Sequence, residues 1–187
     1  MSRLARATLA VSLLLAPVAR AEVSPKQQAV ILTRALAYDD KLKERAGDTV
    51  VVAVLYRSGN STSESESTAI FEGFEQLAKV RVQGLPFKVV RIAWSGVAAL
   101  KTAIGSQGID AIYVCNGLSG EIGAIKEATR KLHILTLAAS EEDVRNGLSM
   151  GVFTVEGKST ITVNLTASRE EGAAMGSGLL SLAKVIR

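Results

Sequence analysis

The sequence predicts an α/β fold: a single domain on a mostly parallel, doubly wound sheet, finished by a C-terminal antiparallel hairpin and a closing helix. Three observations carry this reading. Apolar runs, most of them rich in β-branched residues, recur at residues 50–55, 89–93, 109–115 and 132–137, as strands covered on both faces require. Segments readable as helices separate them, so strand and helix alternate through residue 138. Beyond that point apolar residues alternate with small or polar ones, the mark of strands with one wetter face.

Residues 1–21 stand apart from the domain, which is expected over residues 22–187. Arg3 and Arg6 precede an apolar stretch from Ala7 to Val18, and Ala19-Arg20-Ala21 sets small residues where a signal peptidase reads. This predicts a secretory signal cut before Glu22, because the stretch falls short of the ~20 apolar residues that span a bilayer. Ser24, Pro25 and Gln27 supply a cap, a first-turn proline and a capping-box partner. Ile31, Ala35, Tyr38 and Leu42 continue that helix at helical spacing, and Gly47 stops it. Helices are expected over residues 68–80, 97–104 and 120–131 between the strands. Glu156-Gly157 forms the turn of a hairpin from residues 151–155 and 160–165. Ser168-Arg169-Glu170-Glu171 reads as a capping box for the closing helix, with a buried stripe of Met175, Leu179, Leu182, Ala183 and Ile186. Gly172, Gly176 and Gly178 would let that helix lie close to the sheet.

Composition excludes several function classes. The chain has 22 basic and 18 acidic residues, but Arg3, Arg6 and Arg20 belong to the expected signal, so the remainder is nearly neutral. No aromatic residues interleave with basic ones, and no nucleic-acid partner is expected. Cys115 is the only cysteine and His133 the only histidine, so neither an internal disulfide nor a metal motif is available and no cofactor is implied. Cys115, in an apolar run, reads as a buried small hydrophobe. His133, between Leu132 and Ile134, reads as a core or edge residue of a strand. No serine sits in a nucleophile elbow, and the glycine-rich stretch at residues 117–123 lacks the spacing of a dinucleotide or phosphate loop. Glu141-Glu142-Asp143 is an acidic start to a short helix, too exposed for acid–base work. The protein is expected not to be an enzyme.

In open α/β sheets ligands bind beyond the carboxyl ends of the strands, near the reversal of strand order. The Ser-rich stretch at residues 58–68 follows the first strand directly and reads as its loop, offering the hydroxyls and amides of Ser58, Asn60, Ser61 and Thr62. Trp94 and Ser95 follow the second strand, where the indole could stack on a ring or anchor a partner. Asn116 and Ser119 follow the third. These eight residues form the candidate site for a small polar ligand or for the sensor region of a membrane protein.

Two resemblances sharpen the reading. Leu135-Thr136-Leu137, the stretch at residues 146–153, residues 161–165 with Asn164, and Leu179-Leu180 with Leu182-Ala183 resemble the C-terminal half of YfiR-family periplasmic proteins. The resemblance implies a periplasmic α/β regulator that restrains or informs a membrane-bound signalling protein, such as a diguanylate cyclase or sensor kinase. The family's aromatic N-terminal helix and its cysteine pairs are absent here. Residues 52–56, 88–90 and 109–114 are also similar to one lobe of ABC-type solute-binding proteins, which implies a single-lobe uptake component as the alternative. A two-lobed receptor would need a chain approaching twice this length. The partners compatible with these readings are a membrane sensor protein, a small polar ligand and a second copy in a homodimer.

Overall fold

The computed structural model describes residues 22–187; the expected signal segment lies outside them. In chain order the elements are α1 (Pro25–Leu36), α2 (Leu42–Ala46), β1 (Val50–Tyr56), α3 (Ser61–Glu75), β2 (Arg81–Val82) and β3 (Leu85–Ala93). Next come α4 (Val97–Gln107), β4 (Ala111–Val114), α5 (Ile122–Leu132), β5 (Leu135–Ala138), α6 (Glu141–Arg145), β6 (Met150–Val155) and β7 (Lys158–Asn164). The chain ends in α7 (Leu165–Glu170), α8 (Ser177–Leu180) and β8 (Lys184–Ile186). One mixed sheet in the order β2-β3-β1-β4-β5-β6-β7-β8 holds all eight strands.

Strands β3, β1, β4, β5 and β6 run parallel. The chain steps from β1 to β3 on one side and then returns to place β4 on the other, so strand order reverses at β1. Helices consequently cover both faces. Val50, Val52 and Val54 of β1 join the core under α1 and α3, while Val51, Ala53 and Leu55 join the core under α4 and α5. A strand buried on both faces explains why this segment is apolar at every position. Glu156 and Gly157 both take positive φ (50° and 78°) in the two-residue turn between β6 and β7, which matches the twist of an antiparallel pair.

The structure corrects several expectations. The Ser-rich stretch is a loop only as far as Asn60 and is helical from Ser61. Asn60 Oδ1 accepts the Ser63 amide at 2.9 Å, and the Ser67 and Thr68 hydroxyls donate back to the Glu64 carbonyl. Ser63 and Ser67 are buried, where the Arg91 guanidinium donates to Ser67 Oγ at 2.6 Å. Docking on the sheet thus overrides weak helix propensity. The first helix ends at Leu36, and Asp39 takes a buried turn before α2. His133 is not in a strand: it caps α5 in the left-handed region at φ 55°. Asp143 is buried rather than exposed. The run at residues 89–93 belongs to β3, which has only the two-residue β2 beyond it.

The closing helix is also not one helix. It begins earlier, at Leu165, because the Asn164 side chain accepts the Ala167 amide at 3.0 Å while donating to the Val144 carbonyl. It stops after Glu170, since Glu171 is buried beside the sheet and Gly172 turns the chain at φ 78°. A Cβ on Gly172 would stand 2.9 Å from the His133 Cβ. The last residues then add β8 parallel to β7, so Leu182 is exposed rather than part of a buried stripe.

Candidate functional site

A crevice opens beyond the carboxyl ends of β4 and β5, beside the reversal of strand order, where the fold rule places ligands. It comprises two adjoining cavities of about 540 and 390 Å³. Both are bounded by Glu22, Val23, Gln28, Asn116 and Ala139. The first extends along α3 past Ser61, Thr62, Ser65 and Glu66. The second extends over β6 to Val152, Phe153 and Thr154, with Ser140 and Glu141 at the start of α6.

Glu66 is the centre of this arrangement. Its Oε2 accepts the Asn116 amide at 2.7 Å, and its Oε1 accepts Asn116 Nδ2 at 3.2 Å. The buried Tyr113 hydroxyl lies 3.2 Å from the same Oε1 and 2.9 Å from Gln28 Oε1. Gln28 is oriented by donation from its Nε2 to the Val23 carbonyl at 3.0 Å. Burial lifts the Glu66 carboxyl above its ordinary value, and the nearby charge of Asp143 adds to this, while the donations from Asn116 and Tyr113 hold it back. Burial, then the Glu66 charge, pushes the Tyr113 hydroxyl well up, so it keeps its proton. The Cys115 thiol is pushed up by the same two causes and is buried and inert.

The crevice lip is tied across the switch point. Arg57, at the end of β1, donates from Nε to the Gly117 carbonyl at 2.7 Å and pairs with Glu121 at 2.8 Å. Gly117 takes φ 85°, and Asn60 stands within 3.3 Å of where its Cβ would be.

Of the sequence-predicted residues, Ser61, Thr62 and Asn116 line the crevice. Asn60 caps α3 behind it, and Ser58 is exposed on the loop. Ser119 sits in a short turn and donates to buried Asp143 at 3.3 Å. Trp94 and Ser95 lie apart from the crevice, and the indole packs on the α4/α5 core. Sequence reasoning missed Gln28, Ser65 and Glu66. The spacing of Thr62 and Glu66, four residues apart on one helix, could have found Glu66 had the stretch been read as helical. Among the described residues no group of acidic, histidine or cysteine side chains could hold a metal ion, and no helix is long and apolar enough to cross a membrane.

The sequence model of the YfiR/HmsC-like family matches residues 31–184. No curated protein matches the chain. Among solved structures, an ABC domain from Streptococcus pneumonia in complex with L-Trp superposes with a TM-score of 0.63 at 13% identity, covering 87% of this chain and 60% of that one. A conserved domain protein of Vibrio cholerae gives 0.60 at 16% identity, over 87% of this chain and 60% of that one. The ligand-free, open form of CD0873, a substrate binding protein with adhesive properties from Clostridium difficile, gives 0.56 at 17% identity, over 82% and 58%. At these identities the likeness is one of fold. The chain spans about 60% of the length of the first two proteins.

Proposed function

The chain belongs to the YfiR/HmsC-like family, and on that premise we propose that it is an exported, non-enzymatic regulator whose crevice takes a small polar ligand. Export would follow cleavage of residues 1–21 before Glu22, leaving a periplasmic domain. Ligand occupancy would alter its contact with the extracytoplasmic region of a membrane-bound signalling protein, such as a diguanylate cyclase or sensor kinase. The single observation that carries the binding part is a polar crevice at the strand-order reversal of a fold shared with a substrate binding protein. A signal requires that the ligand bind the partner-bound and free states unequally.

The likeness to substrate-binding proteins supports a second reading, a single-lobe component of an uptake system. The chain covers 58% of one such protein, CD0873.

The deciding experiment is a pull-down of the C-terminally tagged protein from solubilised membranes, with mass spectrometry of the captured proteins. Enrichment of a cyclase or sensor kinase is the expected result. A permease in its place would establish the uptake reading, and capture of neither would remove the signalling partner from the proposal.

A further inference from the structure

Resting on the crevice reading above, the hydrogen-bond inventory around Glu66 points to the class of ligand. The Tyr113 hydroxyl has one proton and two acceptors within reach, Gln28 Oε1 at 2.9 Å and Glu66 Oε1 at 3.2 Å. Only one of them can receive it. Gln28 cannot turn its amide to relieve the shortage, because its Nε2 is committed to the Val23 carbonyl. Glu66 Oε2 accepts a single bond, from the Asn116 amide, and a carboxylate has about four lone-pair sites. The cluster of Glu66, Gln28, Tyr113 and Asn116 therefore holds more acceptors than its own donors can fill, in a partly desolvated place where unfilled acceptors are costly.

Charge points the same way. Among the described residues no lysine or arginine side chain lines either cavity; the proposed cleavage before Glu22 would add one α-ammonium at the rim they share. Glu141 at the far rim is neutralised by Lys184 and Arg145, whereas Glu66 has only neutral donors. A half-buried carboxylate with no side-chain cation paired to it, facing a cavity walled in part by the apolar Val23 and Ala139, is complementary to a positively charged donor carrying an apolar body. We propose that the crevice binds a primary ammonium compound, its N–H groups filling the open positions on Glu66 and Gln28 and its apolar part lying against Val23 and Ala139.

The test uses three probes of nearly equal shape: phenethylamine, 2-phenylethanol and 3-phenylpropionate. Each is titrated into the isotopically labelled protein while the amide signals of Gln28, Glu66 and Asn116 are followed. Phenethylamine is expected to move these signals and to bind at least about tenfold more tightly than the alcohol; the carboxylate is expected not to bind. Thr62→Lys, at an exposed position one turn before Glu66, should pair with the carboxylate internally and erase the preference without unfolding α3. Glu66→Gln should erase it too, and lowering the pH should weaken amine binding as Glu66 protonates. Equal binding of amine and alcohol, a preference for the carboxylate, or an amine preference surviving in Thr62→Lys would overturn the inference while leaving the crevice as a ligand site. Failure of all three probes to move the crevice signals would overturn it as well, and the membrane pull-down judges the wider reading independently.

Discussion

The two ends of the sheet each hold a carboxylate, half-buried at one and buried at the other, and they use it in opposite ways. At the crevice, Glu66 shares one hydroxyl proton with Gln28 and keeps an open acceptor position toward the cavity. At the far end, Glu171 is enclosed. Its carboxylate accepts the Thr136 amide at 2.7 Å, the Thr136 hydroxyl, the Ser149 hydroxyl and, at 3.4 Å, the Thr129 hydroxyl. These donors come from α5, β5 and the approach to β6, so Glu171 rivets the turn after α7 to three elements. Asp39 nearby is equally saturated, by Arg45 and the amides of Lys41 and Ala174. A saturated carboxylate fixes structure; one with acceptors to spare is available to something else.

The largest expected effect tests the rivet. Glu171→Ala orphans a backbone amide and several hydroxyls and leaves a cavity, and it should cost roughly 3–5 kcal/mol by urea denaturation. Glu66→Ala, at the open end, should cost only about 1–2 kcal/mol, because water can reach what it leaves. Equal losses at the two sites would erase the distinction between them.

The second effect is one of pH. Burial raises Glu171 from 4.5 to about 7 and Asp110 from 3.8 to about 6, despite the hydrogen bonds that hold each down. Between the ordinary and raised values the folded protein holds protons that the unfolded chain releases, so its stability falls as pH rises from about 4 to about 7. Denaturation midpoints at pH 5 should therefore exceed those at pH 8, by up to about 3 kcal/mol from Glu171. Glu171→Gln should flatten most of that slope. A slope unchanged in the variant would place the titration elsewhere.

The third concerns the wall that aims Gln28 at Glu66. Gly73 of α3 lies against α1, where a Cβ would stand 3.0 Å from the Ala29 Cβ and 3.1 Å from the Lys26 Cα. Gly73→Ala should push α1 outward at a cost of about 1–3 kcal/mol, visible as a lower melting temperature and shifted Gln28 signals. The smallest effect belongs to the cap: Asn60→Ala should lose about 1 kcal/mol and leave the Glu171 end unperturbed by hydrogen exchange.

Much of the architecture was legible because it depends on short-range pattern. The apolar run of β1, the turn at Glu156-Gly157 and the start of α1 at Ser24-Pro25 are each set by adjacent residues, and the structure has all three. What escaped depends on distant partners. Nothing local tells that Arg91 will meet Ser67 and fold a serine-rich stretch into α3. Nor does the helical periodicity after Ser168 reveal that Glu171 will be drawn under the sheet by Ser149 and Thr136. The candidate site suffered likewise. Asn116, Ser61 and Thr62 line the crevice as their place after strands suggests, but Glu66 lies in a Ser-Glu repeat that reads as a loop, and Gln28 comes from a helix far away in sequence.

The bond from Arg57 to the Gly117 carbonyl and its ion pair with Glu121 have a mechanical consequence. They clamp the loops after β1 and β4 to one another, so these two lips of the crevice move as one body. An occupant that enlarged the crevice would then press on the opposite wall, the segment from Glu22 through Gln28 that begins α1. The strain of such an occupant would fall on the amino-terminal edge of the chain before it reached the sheet.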